Sequence, residues 1–206
     1  MKILYLSLGP TCQPVYYLEY FGLRKFSSPF DWLGYNLDTA IEVYKSNFKS
    51  FFCEYIENES DSEYRNVTDT KNNILSMHNI SKDIELKQSI KEFKTKTKKR
   101  WQRLKKEASN SDLIVFLCAY KYDYEALKYF LHELADIFNK QKLMLINVKD
   151  SKNQHEKKVH KINNKMIVIE YFFYDNREED WKGNVNEWYK IIQDIYIDKF
   201  NFIGGK

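Results

Sequence analysis

Short apolar runs recur along the chain and predict buried strands. The run at residues 113–118, Leu-Ile-Val-Phe-Leu-Cys, is continuous and contains β-branched residues. Such a run is typical of a strand that is covered on both faces in a parallel sheet. Similar runs predict strands at residues 2–8, 143–148 and 166–173, and a shorter one lies at 74–77. The stretches at 58–73 and 150–165 are mostly polar, and the first is expected to be a surface loop.

Between these runs, apolar residues recur every three or four positions, which predicts amphipathic helices. The longest stripe runs from Leu86 to Ala108 and predicts a helix at about 84–108. Further helices are predicted at 13–21, 37–48, 124–139 and 185–200. Gly22 is a stop signal for the first of these, and Asn36 or Asp38 is the expected cap of the second.

Strands that alternate with helices favour an α/β fold. We expect a mostly parallel central sheet with helices on both faces, in a Rossmann-like three-layer arrangement. The length of 206 residues fits a single domain over 1–206.

Composition excludes several classes of protein. Hydrophobic residues make up 43% of the chain, whereas Gly (6) and Pro (3) are scarce, which rules out a disordered or collagen-like chain. No apolar run approaches the roughly 18 residues of a transmembrane helix. The three cysteines form no even disulfide set, so a reduced, cytoplasmic protein is expected.

Positive charge is concentrated in the predicted long helix. The chain has a net charge of +4, but residues 82–106 carry eleven Lys or Arg against three Asp or Glu. A solvated helix face explains such a run, and a patch for a phosphate, nucleotide or acidic glycan is the alternative. Arg100 and Arg103 lie one turn apart and have the geometry to bind a carboxylate or phosphate. Because AT-rich codons also produce a lysine-rich composition, no nucleic-acid partner is predicted.

Cys12 is the first candidate for chemistry, because ligands of parallel sheets bind beyond the carboxyl ends of the strands. It follows the first predicted strand, with Thr11 as the expected N-cap of the next helix. A helix N-terminus favours a thiolate, and its free N–H groups can stabilise an oxyanion. The alternative is a small buried apolar residue, which is also the role expected of Cys53 and Cys118.

A thiolate nucleophile needs a base, and His78 is the best placed of the four histidines. It follows the apolar run at 74–77, so its ring is expected to project from the end of a strand. His132 is expected to be structural or exposed. His155 and His160 are five positions apart, which does not match a helical metal-binding pair, and no metal site is predicted.

These motifs together resemble a known family. The block from Ser7-Leu8-Gly9 to Cys12, followed by Leu23-Arg24 and by Pro29-Phe30-Asp31-Trp32, looks like the DUF1796 family of papain-like cysteine peptidases. Weaker matches follow at His78-Asn79, where the family usually has His-Asp, at Arg100-x-x-Arg103, and at Trp181 and Trp188.

The resemblance implies that Cys12 is the nucleophile, that His78 is the base, and that Asp31 or a nearby Asn orients the histidine. For Asp31 the residues leave two options, because a buried carboxylate needs a partner. One is a structural corner paired with Arg24 or Arg103, and the other is a pocket wall that contacts His78 or substrate. We expect the substrate site to include Ser7, Gly9, Gln13, Trp32, Asn79, Arg100 and Arg103.

Three functions are compatible with these residues. The first is a Cys–His hydrolase that forms an acyl-cysteine intermediate on a small-molecule, peptide or glycan substrate. The second is an acyltransferase of surface-polysaccharide biosynthesis with acyl-coenzyme A as co-substrate, because the family is also distantly similar to capsule-polysaccharide acetyltransferases. The third is a non-catalytic binding domain. No resident cofactor is expected, and the oligomeric state is left open.

Overall fold

A computed structural model describes residues 2–139 and 142–204. The strands are β1 (Ile3–Ser7), β2 (Leu33–Gly34), β3 (Tyr55–Asn58), β4 (Asn66–Asp69), β5 (Ile74–Ser76), β6 (Leu113–Cys118), β7 (Leu143–Asp150), β8 (Glu156–Lys161) and β9 (Met166–Phe173). The helices are α1 (Gln13–Tyr20), α2 (Leu37–Lys45), α3 (Leu86–Ser109), α4 (Tyr124–Ile137) and α5 (Val185–Gly204).

The central sheet has five strands in the order β1-β6-β7-β9-β8. The first four are parallel to one another, and β8 pairs antiparallel with β9 at the edge. The predicted α/β class with a mostly parallel sheet is therefore confirmed. Because the parallel strands point the same way, the segments that follow β1, β6, β7 and β9 all emerge at one edge of the sheet.

Alternate residues of the central strands belong to two different apolar clusters. In β6, Ile114 and Phe116 pack in the cluster that also holds buried residues of α2, α3 and α4. Leu113 and Val115 pack in a second cluster with buried residues of α1 and α5. The sheet is thus buried on both faces, which explains why its strands are continuous apolar runs.

A second sheet, with four antiparallel strands in the order β2-β5-β4-β3, overturns the prediction of a surface loop at 58–73. That segment contains β4, of which only Val67 and Asp69 are buried. Asp69 accepts a hydrogen bond from the backbone N–H of Phe52 at 2.7 Å. A strand with one buried apolar side chain has too little alternation to be recognised in the sequence.

The strand β8 lies in the second polar stretch, and every residue in it except His160 is exposed. Its place at the sheet edge comes from pairing with β9, not from an apolar face. Within the described residues, no helix is long and apolar enough to cross a lipid bilayer.

Helix ends follow the local sequence only in part. α1 ends at Tyr20, and Gly22 adopts φ +67°, as expected of a stop signal. α2 ends at Lys45, earlier than predicted, because the chain turns through left-handed residues and carries Phe48 (φ +60°) into the core. Asn36 is the N-cap of α2, but its side chain makes no capping hydrogen bond.

Candidate active site

A cavity of about 620 Å³ lies where β1 passes into α1, beyond the carboxyl end of the strand. Four of the predicted site residues line it, namely Cys12, Gln13, Trp32 and His78. The other lining residues are Pro10, Thr11, Gly34, Leu75, Met77, Arg177 and Trp181. The cavity therefore joins the start of α1 to the end of β5 and to the segment after β9.

The N-cap of α1 is Cys12 and not Thr11, so the prediction of Thr11 as the cap is wrong by one residue; the Cys12 side chain is half-buried. Its carbonyl oxygen accepts the first helical hydrogen bond, from the N–H of Tyr16 at 3.0 Å. Among the described residues, no group hydrogen-bonds to its sulfur. Burial raises the pKa of the Cys12 thiol, opposite in direction to the shift expected from a helix N-terminus. In the free protein at neutral pH the sulfur is therefore protonated.

His78 follows β5 closely, and its side chain is exposed at the mouth of the cavity. Its ring meets Trp32 edge-on, with 6.1 Å between ring centroids. Trp32 has a backbone φ of +63°, a left-handed conformation that is costly for a bulky side chain. The Asn79 side chain donates to the Trp32 carbonyl at 3.5 Å, so it supports this wall from outside the cavity.

Asp31 forms a buried corner and does not line the cavity. Its Oδ1 accepts from the hydroxyls of Ser7 (2.8 Å) and Ser28 (2.6 Å). Its Oδ2 accepts from the N–H of Ser28 and from Nε of Arg24, both at 2.9 Å. These contacts are those of the structural corner with Arg24, the first of the two options, and no contact with His78 is found among the described residues. The Ser7 hydroxyl, predicted to belong to the substrate site, therefore faces this corner and does not line the cavity.

Three other predicted site residues lie near this corner or the cavity but do not line the cavity. The N–H of Gly9 donates to the hydroxyl of Tyr35 at 2.9 Å. Arg103 of α3 donates to the carbonyl of Ser27 at 3.0 Å. Arg100 is half-buried, and burial lowers its pKa, while the nearby Asp31 acts in the opposite direction. The two arginines thus surround the Asp31 corner with Arg24.

The remaining cysteines differ from each other. Cys118 is fully buried, as expected of a small apolar residue. Cys53 is exposed, so the prediction that it is buried is wrong. Its sulfur lies 3.2 Å from Nζ of Lys94, whereas the preceding Phe51 and Phe52 are buried in the core. Within residues 2–139 and 142–204, no group of three or more His, Cys, Asp or Glu is placed to hold a metal ion.

The comparison with protein families decides the assignment. The model of DUF1796, described as "Putative papain-like cysteine peptidase", matches residues 3–171. The chain belongs to the DUF1796 family. The match covers Cys12 and His78, and it confirms the resemblance that the motifs indicate.

This DUF1796 protein was also compared with curated proteins and with solved structures. "Uncharacterized protein R408" of Acanthamoeba polyphaga mimivirus is 43% identical to it over 49 residues. The similar region spans 23% of this chain and 22% of the viral protein. No solved structure shows a significant match to the chain.

Part of the cavity lies beyond the region matched by the DUF1796 model. Asp175 is fully buried and accepts from Nε2 of Gln13 at 2.8 Å and from the indole N–H of Trp188 at 3.0 Å. It also accepts from Nε of Arg177 and thereby holds that arginine at the cavity wall. Asp175 and Arg177 are not among the site residues predicted from the sequence, and their position after the predicted strand at 166–173 is the one signal that points to them.

Gly183 shows how closely this segment approaches α1. It adopts φ +73°, and a Cβ atom there would collide with the carboxylate of Asp175 and the amide of Gln13. The neighbouring carbonyl of Lys182 accepts from Gln13 at 2.7 Å and from the hydroxyl of Tyr17 at 2.8 Å. The segment after β9 is therefore fastened to the start of α1, next to Cys12.

Proposed function

We propose that this DUF1796 protein is a Cys–His hydrolase that cleaves an amide or ester through an acyl-cysteine intermediate. The observation that carries the proposal is that Cys12 and His78, from distant parts of the chain, line the same cavity. The family's description as papain-like supports the same chemistry. Asp31 is left out of the proposed catalytic machinery, because its hydrogen bonds go to the corner with Arg24.

The proposed reaction has two steps. The Cys12 sulfur attacks the acyl carbon while its proton passes to the His78 imidazole, and the carbonyl oxygen becomes an oxyanion. The oxyanion collapses, the bond to the leaving group breaks, and the imidazolium returns the proton to the leaving amine or alkoxide. A water molecule then attacks the acyl carbon of the thioester and gives one proton to His78. The C–S bond breaks, the acid is released, and His78 returns the proton to the Cys12 sulfur.

The start of α1 supplies groups suited to the oxyanion. The backbone N–H of Gln13 has no hydrogen-bond acceptor among the described residues, and a helix N-terminus carries partial positive charge. Because burial raises the pKa of the Cys12 thiol, the nucleophile is generated by proton transfer during attack and not stored as a thiolate. Catalysis then depends on His78 at every step.

The proposal takes the fold as a Rossmann-like three-layer arrangement of one sheet between two helical layers. Support comes from the two apolar clusters on opposite faces of the central sheet, with α1 and α5 in one and α2, α3 and α4 in the other. In such a fold the cavity at the carboxyl edge of the parallel strands is the expected place for a substrate.

The acyl-enzyme provides the test. Wild-type protein, Cys12→Ala, His78→Ala and the control Cys53→Ser are incubated with p-nitrophenyl acetate, and acetyl adducts are located by mass spectrometry. We expect an acetyl group on Cys12 in the wild type and in Cys53→Ser, slower acylation in His78→Ala, and no adduct at position 12 in Cys12→Ala. Acetylation of wild-type Cys53 alone, or a hydrolysis rate that Cys12→Ala leaves unchanged, would contradict the proposal.

The same preparation separates the alternative functions. Acyl-coenzyme A added to the wild type tests the acyltransferase, which should bind it and show a higher melting temperature. Transfer of the Cys12 acyl group to a sugar hydroxyl in place of water would identify the acyltransferase. A protein that neither forms the adduct nor responds to acyl-coenzyme A would be the non-catalytic binding domain.

A further inference from the structure

A second cavity, of about 470 Å³, adjoins the Cys12 cavity. It lies beyond the end of β6, where Ala119 to Tyr122 line it. The two cavities share Pro10, Thr11 and Arg177, so Arg177 stands at the boundary between them. A molecule bound against Cys12 that extends along the edge of the sheet therefore passes this guanidinium.

The charged side chains that line the two cavities are cationic. Arg177 and Lys121 are the cationic side chains among the lining residues of the two cavities, and those residues include no Asp or Glu. The Cys12 cavity is otherwise mostly apolar, with walls formed by Trp32, Leu75 and Trp181 among others. Cationic side chains on the wall of an otherwise mostly apolar cavity favour a ligand that has an apolar body and one anionic group.

Most N–H groups of the Arg177 guanidinium have no hydrogen-bond acceptor among the described residues. Its one hydrogen bond to a described residue is donated by Nε to Oδ2 of Asp175. Nη2 is buried and has no hydrogen-bond partner, and Nη1 makes no hydrogen bond within the described residues. A buried donor without a partner is uncommon in a folded protein and calls for an explanation.

Arg177 is one of several hydrogen-bond donors to the carboxylate of Asp175. It also accepts from Gln13, Trp188 and the N–H of Asn184, so four donors share its two oxygens. Asp175 is thus a positioning residue that fixes the base of the arginine side chain. The Nη1 and Nη2 groups are left without an acceptor among the described residues, and arginine binds carboxylate or phosphate through these groups.

We propose that Arg177 binds a carboxylate or phosphate group of the molecule that Cys12 attacks, so that the site selects acyl substrates with an acidic group. This inference rests on the proposed hydrolase function for the identity of the bound molecule. It assigns a specificity-determining role to a residue that lies outside the region matched by the family model.

Alkylation of Cys12 by two reagents of similar size tests the inference without requiring turnover. Iodoacetate carries a carboxylate and iodoacetamide does not. Their rates at Cys12 and at Cys53 are measured in the same sample by peptide mass spectrometry at pH 9. We expect Arg177→Gln to lower the iodoacetate-to-iodoacetamide rate ratio at Cys12 about tenfold, as for the loss of one charge-assisted hydrogen bond.

The controls separate a local effect from a general one. Arg177→Lys should retain most of the ratio, because it keeps the charge. Lys96→Gln, which removes an exposed charge of α3, should leave the ratio unchanged. The ratio at Cys53 should be the same in every variant. An unchanged ratio at Cys12 in Arg177→Gln, or an equal fall at Cys53, overturns the inference.

Protection by small anions identifies the group that is bound and serves as a second readout should Arg177→Gln fail to fold. Glutarate and inorganic phosphate are each tested for slowing the iodoacetamide reaction of wild-type Cys12. The anion that slows the reaction shows whether Arg177 binds a carboxylate or a phosphate. Absence of protection of the wild type by both anions overturns the inference. Where Arg177→Gln folds, equal protection of Arg177→Lys and Arg177→Gln overturns it as well. A protein that shows protection but forms no acetyl-Cys12 would instead refute the hydrolase proposal.

Discussion

Replacement of Asp31 by Asn should destabilise the protein strongly, because Asp31 holds the corner beside the cavity. Its carboxylate is 2% exposed and accepts four hydrogen bonds, from Ser7, twice from Ser28, and from Arg24. In Asp31→Asn one acceptor oxygen becomes an NH₂ donor that faces other donors. The charge that Arg24 needs as a partner is lost at the same time.

The magnitude follows from burial. Removal of one partner from a buried ion pair costs about 3–5 kcal/mol. Arg24 also pairs with Glu19, whose side chain is 57% exposed, and loss of such an exposed pair costs about 0–1 kcal/mol. Glu19→Gln is therefore a matched control, since it removes a carboxylate from the same arginine.

Urea unfolding at pH 7, followed by tryptophan fluorescence, measures both variants. With a denaturant slope of about 2–3 kcal/mol per molar, the unfolding midpoint should fall by roughly 1–2 M in Asp31→Asn and by well under 0.5 M in Glu19→Gln. Equal shifts in the two variants would refute the reasoning. So would an Asp31→Asn protein of normal stability that has lost the acetylation of Cys12, because that result would make Asp31 the orienting group of His78.

Two other predictions concern the cavity. Gly183→Ala should lower the free energy of unfolding by about 1–3 kcal/mol, because the new Cβ atom would collide with the Asp175 carboxylate and the backbone φ is left-handed. Gly22 also has a left-handed φ but has open space around it, so Gly22→Ala should lower the free energy of unfolding by only about 1 kcal/mol in the same urea assay. The rate of Cys12 alkylation by iodoacetamide should rise with pH along a curve displaced to higher pH than that of N-acetylcysteinamide. The displacement follows from the raised pKa of the buried thiol, and a curve displaced to lower pH would contradict it.

The parallel sheet was predictable because its strands are buried on both faces. A run such as Leu113–Cys118 shows this burial in the sequence itself. The stripe of α3 was predictable for the same reason, since one face of 24 residues packs on the core. By contrast, β4 and β8 are held by strand pairing and bury few apolar side chains, so their sequences resemble loops.

The site was predictable where its residues are next to strand ends and unpredictable where it depends on contacts between distant segments. Cys12 and His78, which line the same cavity, were singled out in the sequence because each follows an apolar run. The role of Asp175 depends on Gln13, Trp188 and Arg177, and the first of these is 162 positions away. Nothing in the local pattern around Asp175 indicates such a contact.

Two buried carboxylates fix opposite sides of the Cys12 cavity to the first strand and helix. Asp31 ties the Trp32 corner to Ser7 of β1, and Asp175 ties the segment after β9 to Gln13 of α1. Each carboxylate accepts four hydrogen bonds, and none of these donors is a histidine. Since no carboxylate is among the residues that line the cavity, the proposed reaction assigns its chemistry to Cys12, His78 and the backbone of α1. In the proposed reaction, a dyad without a third carboxylate needs substrate binding to align it. The apolar walls and the Arg177 guanidinium would then contribute to catalysis as well as to substrate selection.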